Sequence, residues 1–215
     1  MVTPLRFSQC LFALLCGLAL SGCASTTITV SPSPQPPVCE GSATALVLWA
    51  PEWRPDQKDL VEREVAAATG LKNFFDSSGC FALAELRRIP RLSPTDVTAL
   101  VTLEAGRFSR IVVIKVRELG PVVKLLSSAA VIEGGTEVVL QVTAYSFPPT
   151  GPPREFNVHW RHGGPGVMKG VDSLPADMQA ALLAGLQPGI AGRTQPSPPN
   201  PATALVRGAV RATRS

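Results

Sequence analysis

The apolar period switches between that of a strand and that of a helix along the middle of this chain, and few folds accommodate such an alternation. Residues 43–49 (ATALVLW) form a short apolar run, the mark of a buried strand. Pro55 and Asp56 open a helix in which Leu60, Val61, Glu64, Val65, Ala68 and Leu71 recur at helical spacing, with Lys58, Glu62, Arg63 and Lys72 on the other face. Ser77-Ser78-Gly79 breaks it, and residues 81–89 alternate as a second strand. Ser93-Pro94-Thr95-Asp96 is a helix start, with Ser93 as cap, Pro94 at the first helical position and the Asp96 carboxylate able to reach back. That helix carries Val97, Leu100, Val101 and Leu103 and ends near Gly106. Residues 110–119 (RIVVIKVREL) are nearly continuously apolar, as a central strand requires. Gly120-Pro121 predicts a turn, and residues 122–132 and 136–145 two strands joined through Glu133-Gly134-Gly135. Residues 148–153 are a loop and residues 155–161 (EFNVHWR) a further strand. Residues 173–186 close the pattern as a helix with Ser173 as cap, Asp177 in its first turn and Met178, Leu182 and Leu186 on one face.

The order predicts an α/β domain of the α+β kind: strand, helix, strand, helix, a four-strand antiparallel meander and a closing helix. The first half calls for right-handed crossovers and parallel pairing, the second for hairpins, so about six strands form one mixed sheet with helices packed on it. The domain spans residues 39–189. Residues 23–38 read as an uncharged Ser/Thr/Pro-rich tether and residues 190–215 as a Pro-rich, basic tail. Within that tail, Arg207, Arg211 and Arg214 group along residues 202–214, a set suited to an anionic lipid or polymer surface. A stretch of this length is marginal as an isolated helix, so a frayed tail is the better reading.

Residues 1–22 have the layout of a secretory signal: a positive charge at Arg6, an apolar core over residues 11–20, then small residues. The tetrad Leu20-Ser21-Gly22-Cys23 resembles the lipobox of bacterial lipoproteins. The resemblance implies that the Cys23 thiol receives a diacylglycerol, that the chain is cut before it, and that the new amino group is acylated. The alternatives are an uncleaved apolar stub and an ordinary cleaved signal. Ala24, where an Asp would favour inner-membrane retention, leans the expectation toward the outer membrane, with the domain facing the periplasm. Of the five cysteines, Cys10 and Cys16 leave with the signal and Cys23 carries the lipid, so Cys39 and Cys80 remain. An even pair in an oxidising compartment predicts a disulfide, against the alternative of two unpaired buried thiols.

The stretches ALVLWAP, GLKNFFDSSGCFAL, LSPTDVTAL, RIVVIKV, the antiparallel pair over residues 122–151, FNVHWR and DMQAALLAGL follow in an order that resembles the TolB N-terminal-like superfamily. That group includes curli-secretion lipoproteins and the lipoprotein activators of penicillin-binding proteins. The resemblance covers most of residues 43–186 and implies a non-enzymatic envelope protein that binds a protein partner or assembles with itself. It departs at Arg107-Phe108-Ser109-Arg110, where a Gly-rich strand start is usual, and no functional residue is carried across.

Catalytic patterns are sparse. His159 and His162 stand three apart at a strand end with no Cys or carboxylate beside them in sequence, unlike zinc-binding pairs. Gly163-Gly164-Pro165-Gly166 lacks the Lys and Ser/Thr of a phosphate-cradling loop. The acid pairs Glu62/Glu64 and Glu52/Asp56 read as solvated surface. No cofactor or metal is expected. His159, Trp160, His162, Gly163 and Gly164 are instead the candidate interaction loop. The expected function is an envelope interaction or assembly module anchored in a lipid bilayer through Cys23, with a protein partner or self-association and no nucleic acid. The alternative is a small-ligand-binding or hydrolytic lipoprotein.

Overall fold

The computed structural model describes residues 24–91, 93–126, 131–165 and 167–188; Cys23, Gly166 and the tail with Arg207, Arg211 and Arg214 lie outside these. The elements are β1 Ser25–Ser31, β2 Glu40–Pro51, α1 Leu60–Ser77, β3 Phe81–Arg88, α2 Pro94–Glu104, β4 Arg110–Leu126, β5 Val131–Ser146, β6 Arg154–Pro165, a 3-10 turn at Val171–Ser173 and α3 Leu174–Leu186. The strands form one six-stranded sheet in the order β1-β6-β5-β4-β2-β3. β2 pairs in parallel with β3 and β4, and the other pairings are antiparallel. This is the mixed α+β sheet expected from the alternation of periods.

The two faces of the sheet carry different loads. Ala45, Val47 and Trp49 of β2 pack with α1 and α3 on one side, while Leu46, Leu48 and Ala50 meet Val97 and Val101 of α2 on the other. Burial on both faces is why this strand reads as one continuous apolar run. β5 and β6 alternate instead. Val138, Leu140, Val142, Phe156 and Val158 enter the core under the helices, and Glu155, Asn157 and His159 stay exposed on the opposite face. The disulfide Cys39–Cys80 joins the starts of β2 and β3 with their Cα atoms 4.5 Å apart. The last carbonyl of α3 closes the same end, where Leu186 O accepts from Val38 N–H at 2.9 Å.

The boundaries differ from expectation in four places. Ser25–Ser31, read as tether, is an edge strand in continuous register with β6, from Ser25 opposite Gly163 to Ser31 opposite Asn157. Its Thr-Thr-Ile-Thr-Val core is β-branched throughout and suits a pleated edge; the prolines that suggested a tether begin only at Pro32. Gly120-Pro121 makes no turn. β4 runs through it beyond the end of β2, whose Pro51 stands opposite Val116, so Pro121 leaves its missing donor on an unpaired edge. The expected four-strand meander is therefore three strands, with β1 completing the sheet.

The glycines expected to turn the chain instead let strands touch. Gly134 lies opposite Gly164 and Gly135 opposite Gly163 within the β5–β6 ladder. A Cβ on Gly135 would come within 2.4 Å of the His162 carbonyl oxygen, and one on Gly163 within 2.3 Å of Gly134 O. Finally, α1 starts at Leu60, after Asp59 in the left-handed conformation (φ 56°), and is rotated from the expected face. Ala66, Ala67, Gly70, Leu71, Phe74 and Phe75 are buried, whereas Val61 and Val65 face solvent.

Candidate interaction site

The sequence-predicted group at residues 159–164 is part of β6, not a loop, and the pleat divides it. Trp160 enters the helix-covered core, while His159 projects from the open face, its Nε2 against Glu137 Oε1. His162 returns to the helix side and stacks on Trp160, with ring centroids 5.9 Å apart and planes at 18°. Its Nδ1 lies 2.8 Å from Thr26 Oγ1 of β1. The two histidines therefore share no face. Among the described residues no group of three or more His, Cys, Asp or Glu side chains is placed to hold a metal ion.

Two partners of this cluster lie outside the predicted group: Asp177, whose sequence signal is only that of a first-turn helix residue, and Lys169, which has none. Lys169, in the connection after β6, places Nζ 5.8 Å from the Trp160 ring centroid and donates to Asp177 Oδ1 at 2.6 Å. Asp177 sits in the first turn of α3, where the helix dipole favours an anion. Ser173 does not cap α3 through its side chain as expected; its hydroxyl lies 3.0 Å from Gly170 O and from Asp177 Oδ2. Thr136 is buried beside this cluster in sequence register, opposite His162, and its Oγ1 has no hydrogen-bond partner. A hydroxyl beside an imidazole is half of a nucleophile–base pair, which also needs a group to orient the base. Among the described residues no carboxylate contacts the His162 ring. The contacts present pin β1 to β6, and β6 to α3, at the end of the sheet where β1 begins.

A second polar cluster stands at this end. Arg63 donates from Nη1 to Glu118 Oε1 at 3.0 Å and to Leu119 O at 2.7 Å, and from Nε to Lys58 O at 2.7 Å. Arg54 Nη2 reaches the other oxygen of Glu118 at 2.8 Å. A register shift between Val116 and Glu118 makes this possible. The bulge reverses the facing of β4, so Leu119 joins the core with Val138 and Glu118 meets the arginines. Gly120 leaves room for the guanidinium, since a Cβ there would lie 1.7 Å from Arg63 Nη1.

The opposite end of the sheet holds a cleft of about 390 Å³ between the loop at residues 148–153 and α2, lined by Val101, Tyr145, Phe147 and Arg154 among others. Burial, and then the nearby Glu155 charge, raise the Tyr145 phenol above its ordinary range. Burial, and then repulsion from Arg110, lower the Arg154 guanidinium, which donates to Pro36 O at 3.0 Å and Pro37 O at 3.2 Å. Between the ends, Glu104 of α2 binds Arg87 of β3 at 2.9 Å and Arg107 at 2.6 Å. The Arg87 hydrogen bond is the main reason that the Glu104 carboxyl is held below its ordinary value.

No protein-family model matches this chain, and no curated protein matches it. Among solved structures, similarity extends to PelC from Paraburkholderia phytofirmans, described as a dodecamer. One such structure, of an L103M variant, is 12% identical, with 76% of this chain and 99% of that one covered at a TM-score of 0.39. Another is 13% identical, with 74% and 95% covered at 0.38. A putative neuraminyllactose-binding hemagglutinin homologue from Helicobacter pylori is 10% identical, with 77% and 92% covered at 0.33. Similarity at this level leaves function to be argued from the chain's own residues.

Proposed function

We propose that this chain is a bacterial envelope lipoprotein, acylated on Cys23, whose domain acts by docking on an envelope partner or on further copies of itself and not by catalysis. The observation that carries this reading is the pairing of Cys39 with Cys80. Disulfides belong to oxidising compartments such as the periplasm. The pair uses both cysteines beyond the lipobox-like tetrad and leaves Cys23 as the thiol to be lipidated. Two sheet edges, β1 and β3, and the polar outer face of β5 and β6 are available for contact within the described chain. With Ala24 after the cysteine, the outer membrane's periplasmic face is the proposed address.

The test joins anchor and role. Under globomycin the unprocessed precursor accumulates, and labelled palmitate is incorporated into the wild type but not into Cys23→Ser. Cross-linking in intact envelopes then recovers a stoichiometric protein partner or a ladder of the chain itself. Normal processing and unchanged envelope sedimentation of Cys23→Ser would refute the anchor. A second reading, small-ligand binding, is favoured by the cleft where the desolvated Tyr145 and Arg154 meet. It predicts a small molecule retained on purification, lost in Arg154→Ala, and no protein cross-link.

A further inference from the structure

We infer that β1 is a self-pairing edge, through which two copies of this chain join antiparallel about Ile28 into one continuous sheet. The inference rests on the docking reading above and deepens it by naming the partner as a second copy; it does not need the lipid on Cys23.

β1 is the outermost strand on its side of the sheet, so one of its two rows of backbone N–H and C=O groups meets no strand among the described residues. Sheets usually blunt such an edge with charge, proline or a bulge. Ser25–Ser31 uses none of these: its residues, STTITVS, are uncharged, lack proline and keep unbroken register with β6. The opposite edge is guarded. β3 carries Glu85, Arg87 and Arg88, with Arg87 bridging Glu85 and Glu104, and Arg88 paired with Glu64. One edge of the sheet is thus closed to strand pairing and the other is open.

The sequence of β1 says what fits there. Reversed, it reads SVTITTS, almost unchanged. An antiparallel pair centred on Ile28 sets Ile28 opposite Ile28, Thr27 opposite Thr29, Thr26 opposite Val30 and Ser25 opposite Ser31. Hydroxyl and β-branched side chains then meet their own kind, as favourable cross-strand pairs do. Ile28 and Val30 stand beside Trp160 and Val158 in the ladder, on the helix-covered side. Val30 is partly buried there, but Ile28 is 44% exposed. The second Ile28 covers it and carries the apolar row of Trp160 and Ile28 across the seam. Thr27 and Thr29 face the open side, where Arg161 and His159 stand opposite them, one strand back from the seam. The two Arg161 side chains are then three strand spacings apart, about 14 Å, beyond the Debye length at physiological salt. A two-fold axis perpendicular to the sheet keeps the helices of both copies on one side. It also closes the assembly at two, since only the guarded β3 edges remain outside.

Photo-crosslinking of the full chain in intact bacterial envelopes tests this. The photoreactive residue p-benzoylphenylalanine replaces Ile28, or Leu83 on the β3 edge as control. The inference expects a covalent homodimer from the Ile28 site, with the link mapped to residues 26–30 of the second copy, and none above background from Leu83. Thr27→Lys/Thr29→Lys, with the probe at Ile28, sets lysines directly opposite lysines and should lower the homodimer yield about fivefold or more. Both threonines are exposed, so its circular dichroism spectrum should match wild type. Should that variant not fold, the contrast between Ile28 and Leu83 decides alone. Equal homodimer from both sites, a link that maps outside β1, a folded lysine variant that still dimerises, or no link overturns the self-pairing. A link from Ile28 to a different protein also overturns it, and leaves the docking reading standing. Palmitate labelling of the same sample reports the anchor separately.

Discussion

Breaking the Cys39–Cys80 bond has a consequence whose size follows from the topology. The two residues are 41 apart in sequence and stand at the starts of neighbouring parallel strands, with Glu40 opposite Phe81 one residue later. The ladder already holds these strand starts together in the native state, so the cross-link acts chiefly on the unfolded chain. Loop-closure entropy for a loop of this size is worth about 4 kcal/mol. Cys80 is fully buried, so Cys39→Ala/Cys80→Ala also loses core contacts and adds about 1 kcal/mol. Reduction of the wild type keeps both sulfurs and isolates the first contribution. With a urea dependence of about 2 kcal/mol per molar, the reduced protein should unfold roughly 2 M earlier than the oxidised one. The double variant should unfold slightly earlier again. The assay is urea unfolding of the purified full chain in detergent, followed by circular dichroism with and without dithiothreitol. Oxidised and reduced midpoints within about 0.3 M would refute the reasoning, because they would mean that the unfolded chain holds residues 39–80 together without the bond.

The β5–β6 glycines make a sharp contrast with a free one: Gly135→Val and Gly163→Val, which would drive a side chain into the facing backbone, should each cost upward of about 2 kcal/mol in thermal unfolding. Gly151→Ala, with nothing within 4 Å, should be neutral or gain a few tenths of a kcal/mol, about the scale of a relieved unfolded-state entropy. Arg63→Ala removes the donor shared by Glu118, Leu119 O and Lys58 O and should cost about 1.5–3 kcal/mol; Arg63→Lys should fail to restore it, since an ammonium cannot span that fork. For pH, Glu104 is held below its ordinary value of 4.5, first by the Arg87 hydrogen bond, so its contribution is complete above that value and is lost as pH falls through the lower folded one. Acid unfolding curves of Glu104→Gln should therefore be lower than wild type near neutrality and converge with it at low pH; parallel curves would contradict the pairing.

What the sequence shows and what it hides follow from the range of the interactions. β2 and β4 are legible because burial on both faces forces an unbroken apolar run, and α2 because Ser93 accepts from the Asp96 N–H at 3.2 Å, a local contact. The hidden features are settled by distant partners. Thr-Thr-Ile-Thr-Val becomes a strand only because β6 offers an edge more than a hundred residues later, and its polar alternation looks like a linker until that edge is known. Gly134-Gly135 mimics a hairpin turn because a glycine that relieves a clash and one that turns a chain are the same letter. The rotation of α1 has the same origin: Gly70 and Phe74 face inward because Met178 and Pro175 of α3 lie against the helix there, and no local pattern competes with the stronger-looking stripe through Val61 and Val65. That stripe is apolar without a core to explain it. Single apolar side chains on a surface are ordinary, so a local stripe is evidence of a core only where a partner element lies over it.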